Sequence, residues 1–110
     1  MAGKFELYKD KRGAFRFRLK ASNGQIILTS QGYKAKPSAR NGTESVRKNA
    51  AADTRYDCKE TKNGQFRFNL KAMNGQVIGT SESYKTEKAR DNGIASVKRH
   101  ASGAAVFDLT

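Results

Sequence analysis

Residues 12–30 read RGAFRFRLKASNGQIILTS, and residues 63–81 read NGQFRFNLKAMNGQVIGTS. The two stretches belong to one internal repeat with a constant offset of 51. Phe15–Ala50 aligns without a gap on Phe66–Ala101, with about half of the positions identical. A period of this length means that one supersecondary unit is used twice, and the fold must bury the same apolar pattern twice. The offset extends further. Phe5-Glu6-Leu7 falls over Tyr56-Asp57-Cys58, and one more step reaches Phe107-Asp108-Leu109. There are therefore two repeats, residues 1–54 and 55–110, and the second ends on what reads as the opening strand of a third. A chain of 110 residues suits one compact domain in which the two repeats share a core.

Within one repeat the periodicity changes once. KFELYKD alternates apolar and polar residues and predicts a strand. Arg12-Gly13 and Asn63-Gly64 mark tight turns. AFRFRLKA and QFRFNLKA alternate strictly and predict second strands; after the turns at Asn23-Gly24 and Asn74-Gly75, QIILTS and QVIGTS predict third strands. KPSARNGTESVRKNA and EKARDNGIASVKRHA then take helical spacing, with Ile94, Val97 and Ala101 on one face, Thr86 as N-cap and Pro37 in the first turn of the first helix. Gly42 and Gly93 either break the helices or let them approach a sheet closely, and their place at the edge of the apolar face favours close approach. The expectation is an α+β fold: two tandem β3-α-β repeats forming one antiparallel sheet of about seven strands, with two helices on one face. Arg55–Glu60 serves as one strand that closes the first unit and opens the second; a separate closing strand would raise the count to eight.

The alternation separates two faces. Phe15, Phe17 and Leu19, with Phe66, Phe68 and Leu70, point toward the helices; Arg16, Arg18 and Lys20, with Arg67, Asn69 and Lys71, point away. Net charge is +12, and it is uneven: residues 1–55 carry 13 Lys+Arg against 4 Asp+Glu, residues 56–110 carry 9 against 6. Such a surplus attracts anions, nucleic acid first among them, although charge also serves plain solubility.

The motifs FRFRLKASNGQIILTS and FRFNLKAMNGQVIGTS, the Ser-x-x-Tyr at Ser81–Tyr84, and NGIASV at Asn92–Val97 resemble the YegP-like family of small bacterial proteins across essentially the whole chain. The first repeat has NGTESV instead, with Thr43 replacing isoleucine, so its helix is expected to pack less tightly. The resemblance implies a β-β-β-α-β unit, used as a tandem pair or as a homodimer, with C-terminal strands exchanged between units. It implies no activity, since the family has no established one.

No residue pattern points to chemistry. His100 reads as a surface residue at a helix end, and Cys58, in the place of Leu7 and Leu109, as a small buried hydrophobe. Neither has the neighbours of a metal set, and no phosphate-binding glycine motif is present. No cofactor, no metal and no enzymatic activity are expected. Glu6, Asp57 and Asp108 recur at equivalent strand positions and are expected to pair with neighbouring Lys or Arg, while Ser30, Ser81, Tyr33 and Tyr84 are expected to serve the turn into the helix. A lone cysteine, the absence of an apolar run long enough to span a bilayer, and the absence of an apolar leader fit a cytoplasmic protein without membrane contact. The chain is expected to be a monomer with internal pseudo-two-fold symmetry. Two function classes stand. One is weak, sequence-indifferent nucleic-acid or polyanion binding through Arg16, Arg18, Lys20, Arg67 and Lys71. The other is a protein-interaction or stress-associated module with no nucleic-acid role.

Overall fold

The computed structural model describes residues 3–110. Seven strands and two helices follow the repeat: β1 Lys4–Lys9, β2 Phe15–Lys20, β3 Ile26–Thr29, α1 Lys36–Asn49, β4 Tyr56–Glu60, β5 Phe66–Lys71, β6 Val77–Thr80, α2 Glu87–Ala101 and β7 Ala105–Asp108. A single 3-10 turn at Asp53–Arg55 leads into β4. The hairpin turns carry Gly13, Gly24, Gly64 and Gly75 at φ values of 83, 87, 76 and 86°, a region that side-chain-bearing residues avoid.

All strands lie in one sheet, in the order β4-β5-β6-β3-β2-β1-β7. The repeats meet at its centre, where Thr29 of β3 pairs with Thr80 of β6. α1 packs over β2 and also reaches β5 and β6; α2 packs over β5 and also reaches β2 and β3. Each helix thus crosses from one repeat's strands toward the other's. The chain leaves α1 for β4 at one edge and leaves α2 for β7 at the opposite edge. The C-terminal strand is exchanged: β7, from the second repeat, lies beside β1 of the first.

Two details correct the expectation. The sheet is not wholly antiparallel, because β7 runs parallel to β1. Nor does β4 close the first unit: it pairs with β5, and β7 does the closing. The parallel register sets Val106 beside Phe5 and Phe107 beside Glu6. Phe107-Asp108-Leu109 therefore repeats the letters of Phe5-Glu6-Leu7 but sits one residue out of step with them, which exchanges its faces. Phe107 stands on the open face, 49% exposed, and Asp108 turns to the helix side, where Lys36 and Arg40 bind it.

The core lies between sheet and helices: Phe5, Leu7, Phe17, Leu19, Leu28, Val46, Phe68, Leu70 and Val97 are fully buried. The aromatic packing is duplicated. Phe17 meets Phe5 edge-on at 5.9 Å and stacks on Tyr33 at 6.4 Å; Phe68 meets Tyr56 edge-on at 5.6 Å and stacks on Tyr84 at 6.4 Å. Both helices continue through their glycines, and close approach is the reason. A Cβ on Gly42 would stand 2.6 Å from the Phe17 ring, and one on Gly93 would stand 2.4 Å from the Tyr84 hydroxyl. Thr86 caps α2 by accepting the Ala89 N–H at 3.0 Å, whereas α1 has Pro37 in its first turn and no side-chain cap. Thr43 does not loosen α1. It is fully buried, and its hydroxyl donates back to the Arg40 carbonyl at 2.6 Å, while Ile94 is only half-buried.

Candidate anion-binding face

The face of the sheet away from the helices carries the alternate residues of each strand. β1 places Lys4, Glu6 and Tyr8 there, opposite Lys20, Arg18 and Arg16 of β2. On the other side of the sheet, β4 places Asp57 and Lys59 opposite Asn69 and Arg67 of β5, followed by Lys71. Between these flanks lie β3 and β6, with Thr29 and Thr80. The Thr80 hydroxyl bonds Asn69 at 3.0 Å, and the Thr29 hydroxyl donates to the Thr80 carbonyl at 3.3 Å. The five bases expected from the sequence therefore share one face but form two clusters. β2 and β5 are three strand spacings apart, about 14 Å. Lys4 and Lys59 join them. Both have the strand parity of the other five, which was the available signal.

The carboxylates on this face are Glu6 and Asp57, and each is surrounded. Glu6 accepts from Arg18 Nε at 2.8 Å and Lys20 Nζ at 3.0 Å, with Lys4 Nζ at 3.7 Å. Burial pushes the Glu6 carboxyl up, but the hydrogen bonds from Arg18 and Lys20 outweigh it and hold the group below the usual glutamate range. Asp57 receives Lys71 at 3.3 Å and Lys59 at 3.4 Å; burial again pushes up, and the two ammonium groups pull its carboxyl lower. Asp10, in the first turn, binds Arg16 Nε at 2.7 Å, and this bond holds its carboxyl low. Arg16 also donates to the Ser30 carbonyl at 3.1 Å. Among the described residues Arg67 has no carboxylate within 4.0 Å. Its counterpart Arg16 has Asp10, but the residue equivalent to Asp10 is Thr61, whose hydroxyl accepts the Gln65 N–H instead. The expected pairing of Glu6 and Asp57 with neighbouring cations is thus present, yet seven bases face three carboxylates, Asp10 included.

The rings on this face are capped by cations: the Arg18 guanidinium lies 4.6 Å from the Tyr8 centroid and Lys4 Nζ 5.6 Å from that of Phe107. Ser30 and Ser81 bond backbone as expected. Each hydroxyl accepts a phenylalanine N–H, from Phe17 and Phe68 respectively, at 2.9 Å and donates to the next carbonyl at 2.8 Å. Burial raises the phenols of Tyr33 and Tyr84 above the usual tyrosine range.

Two residues sit elsewhere than expected. His100 is buried, not at the surface, with Nδ1 2.8 Å from the Ser96 carbonyl one turn back. Cys58 is exposed, not buried, because no described strand covers the outer side of β4. Among the described residues no three His, Cys, Asp or Glu side chains gather into a metal-holding group, and no helix is long and apolar enough to cross a membrane.

Comparison with known proteins agrees with the repeat. A family model described as "Domain of unknown function (DUF1508)" matches twice, at residues 10–57 and 61–108. The "UPF0339 protein in ptx operon 5'region" of Stutzerimonas stutzeri is 58% identical over 109 residues, covering 99% of this chain and 98% of its own. UPF0339 protein YegP of Escherichia coli K12 is 51% identical over 110 residues, all of both chains. Among solved structures, the solution structure of the E. coli protein of unknown function yegP matches with a TM-score of 0.95 at 51% identity, covering 100% of this chain and 95% of that one. A UPF0339 protein of Shewanella oneidensis matches at 0.94 and 47%, covering 100% and 93%.

Proposed function

This chain belongs to the DUF1508 family, a domain of unknown function, and from that premise we propose that its open sheet face binds polyanions, nucleic acid foremost, weakly and without regard to sequence. The observation that carries the reading is the imbalance of that face: seven bases stand against three carboxylates, Glu6, Asp57 and, beside Arg16, Asp10. Ion pairing with Glu6, Asp57 and Asp10 fixes the positions of six of these cations and leaves a net positive field that phosphates can neutralise. Base stacking is not the mode, because Phe15, Phe17, Phe66 and Phe68 stand on the helix side and the rings of Tyr8 and Phe107 already lie under cations. The role is binding without chemistry.

Fluorescence anisotropy with labelled single- and double-stranded oligonucleotides tests this. About four or five phosphate contacts give a log–log salt slope near −4. Arg67→Gln with Lys71→Gln flattens the slope by about 1 to 2. Glu6→Gln acts in the opposite direction, because it releases Arg18 and Lys20 from their shared carboxylate. The absence of binding at low salt, or a slope indifferent to neutralising Arg16, Arg18, Lys20, Arg67 and Lys71 together, overturns the reading in favour of a protein-interaction module.

A further inference from the structure

Every strand of the sheet has a structural counterpart in the other half except β7, which follows α2. It lies along the outer side of β1, and no described strand lies along the outer side of β4. The consequence is visible in burial. Phe5 and Leu7 of β1 are wholly buried and Glu6 nearly so, while Tyr56 and Asp57 are half-buried and Cys58 is exposed. The backbone agrees. Phe17, opposite Leu7, turns its own N–H and carbonyl to Ser30, so the amide groups of Leu7 point outward, and the Leu7 carbonyl accepts the Leu109 N–H at 2.8 Å. Phe68, opposite Cys58, turns to Ser81 in the same way. The amide groups of Cys58 therefore point outward too, into a lane without a strand.

The helices stand in equivalent places above the two lanes. Arg47 lies over the Phe5 ring and donates to the Ala104 carbonyl; its counterpart Lys98 lies over the Tyr56 ring and pairs with Asp53, the counterpart of Ala104. What changes is the sign of the rim. In the filled lane, Asp108 of β7 is held by Lys36 and Arg40, with Lys9 further along β1. The counterparts of Lys36, Arg40 and Lys9 are Glu87, Asp91 and Glu60. Three bases become three acids in a protein of net charge +12. Asp91 lines a groove of about 280 Å³ with Asp53, Tyr56, Cys58 and Ile94. Arg90 is paired with Asp91 at 3.0 Å and lies, largely covered, along the Phe66 ring near Cys58 and Glu87; it offsets one of the three acids and leaves the rim net negative.

We propose that the outer edge of β4 receives an extended segment of a partner protein as an added parallel strand. Its signature is an apolar residue beside Tyr56 and a Lys or Arg two positions later, beside Cys58 and facing Glu87 and Asp91. The pattern is that of Val106 and Asp108 with the charge reversed. Main-chain bonds to β4 supply the generic part of the recognition and the acidic rim supplies the selection. A second copy of this chain is the wrong occupant, because its own β7 presents Asp108 to Glu87 and Asp91. The basic open face does not prevent the approach of a cationic strand at physiological salt, where screening over about 8 Å leaves the nearby rim dominant. This site uses the outer backbone and the helix side of β4, whereas the polyanion face uses the Asp57 and Lys59 side chains on the other side of the strand, so each proposal can fail without the other.

Two synthetic octapeptides test it: a copy of residues 103–110, and the same peptide carrying D108K. Cys58 is the only thiol, so the rate of its reaction with a disulfide reagent reports cover over the lane, and amide NMR shifts locate the contact. The D108K peptide should slow the reaction and shift the amides of β4, while the unaltered copy leaves both unchanged. The double variant Glu87→Lys, Asp91→Arg should weaken the D108K peptide about tenfold and transfer the preference to the unaltered copy, with an unchanged thermal melt showing that the fold survives. No slowing by the D108K peptide at millimolar concentration overturns the proposal. So does equal action of both peptides, or a preference indifferent to the double variant.

Discussion

Leu28 and Gly79 hold the same position in the two repeats, and the structure shows why they cannot be alike. β3 and β6 meet at the pseudo-two-fold axis, so positions 28 and 79 crowd one place in the core. A Cβ on Gly79 would stand 2.6 Å from the Leu28 side chain. One leucine fills the space and its counterpart must be absent. At the sheet edges the repeats differ for another reason. The end of the chain supplies β7 to the first half, and nothing in the described chain supplies its equivalent to the second. Leu7 lies inside and Cys58 outside, and the helix positions differ accordingly: α1 carries the buried Ala39 where α2 carries the larger Arg90, which stands near Cys58. The repeats agree where both halves see the same surroundings, and they diverge at the axis and at the edges, where they do not.

The largest effect should also be the most nearly equal in the two halves. Phe17→Ala and Phe68→Ala each remove a fully buried ring from matching aromatic triplets, and each should cost about 3–5 kcal/mol in a denaturant melt. A cost below about 1 kcal/mol in either variant would mean that the ring is not in the core. Removing residues 107–110 should separate the halves. The outer half of β7 goes with it, including the bond from the Leu109 N–H to the Leu7 carbonyl, and Leu7 and Glu6 lose their cover, whereas Phe107 and Leu109 are half exposed and contribute little apolar burial. The loss should be about 2 kcal/mol. Hydrogen exchange should rise along β1 and stay unchanged along β4; a rise along β4 instead would contradict the exchange of strands.

Gly79→Ala should cost about 1–3 kcal/mol by overpacking the axis. The pair Gly79→Ala with Leu28→Ala should recover part of what the two single costs predict together, because the alanine at 79 enters the space vacated at 28. Strict additivity would mean that the two positions do not compete for one volume.

Most of this architecture was legible in the letters. Period-two alternation placed Phe17 and Arg16 on opposite faces, and the change of period placed both helices, because burial on one face imposes those spacings directly. What was not legible depended on which strand lies beside which. Phe107-Asp108-Leu109 looks like a third opening strand, yet a one-residue slip in parallel register puts Phe107 on the open face and Asp108 against α1. Cys58 looked interior because Leu7 is, and only the empty lane beside β4 exposes it. The basic face was visible as a set of residues, but the way three bases converge on Glu6 depends on β1 lying against β2 in one register.

Acid should distinguish Glu6 from Asp57. Both carboxyls sit below their ordinary range in the folded chain, so each contributes stability at pH values above the unfolded carboxylate pKa. That contribution is lost as pH falls below about 4 and through the folded value. Glu6 is the more buried and has three cations where Asp57 has two. Glu6→Gln should therefore flatten the acid limb of the melting-temperature profile more than Asp57→Asn does; the reverse order would show that exposed pairing at Asp57 outweighs the buried cluster.

The smallest effect concerns the one base on the open face whose counterpart has a partner it lacks. Asp10 organises the first turn by accepting the Arg12 and Ala14 N–H groups and holds Arg16 with its other oxygen. Thr61 performs only the turn part, accepting the Gln65 N–H at 3.1 Å. Thr61→Asp should rebuild the first repeat's arrangement in the second, since the turns share their geometry: Gly13 bonds the Asp10 carbonyl at 3.0 Å and Gly64 bonds the Thr61 carbonyl at 3.1 Å. Folding stability should hardly change, because the new pair is at the surface. If polyanions use this face, the salt slope should fall by about 1, as Arg67 passes from free cation to paired one. The matching change Asp10→Thr should raise it by releasing Arg16. A slope that moves in neither variant, in a protein that still binds, would place the phosphate contacts away from Arg16 and Arg67 and limit the site to the bases around Glu6 and Asp57.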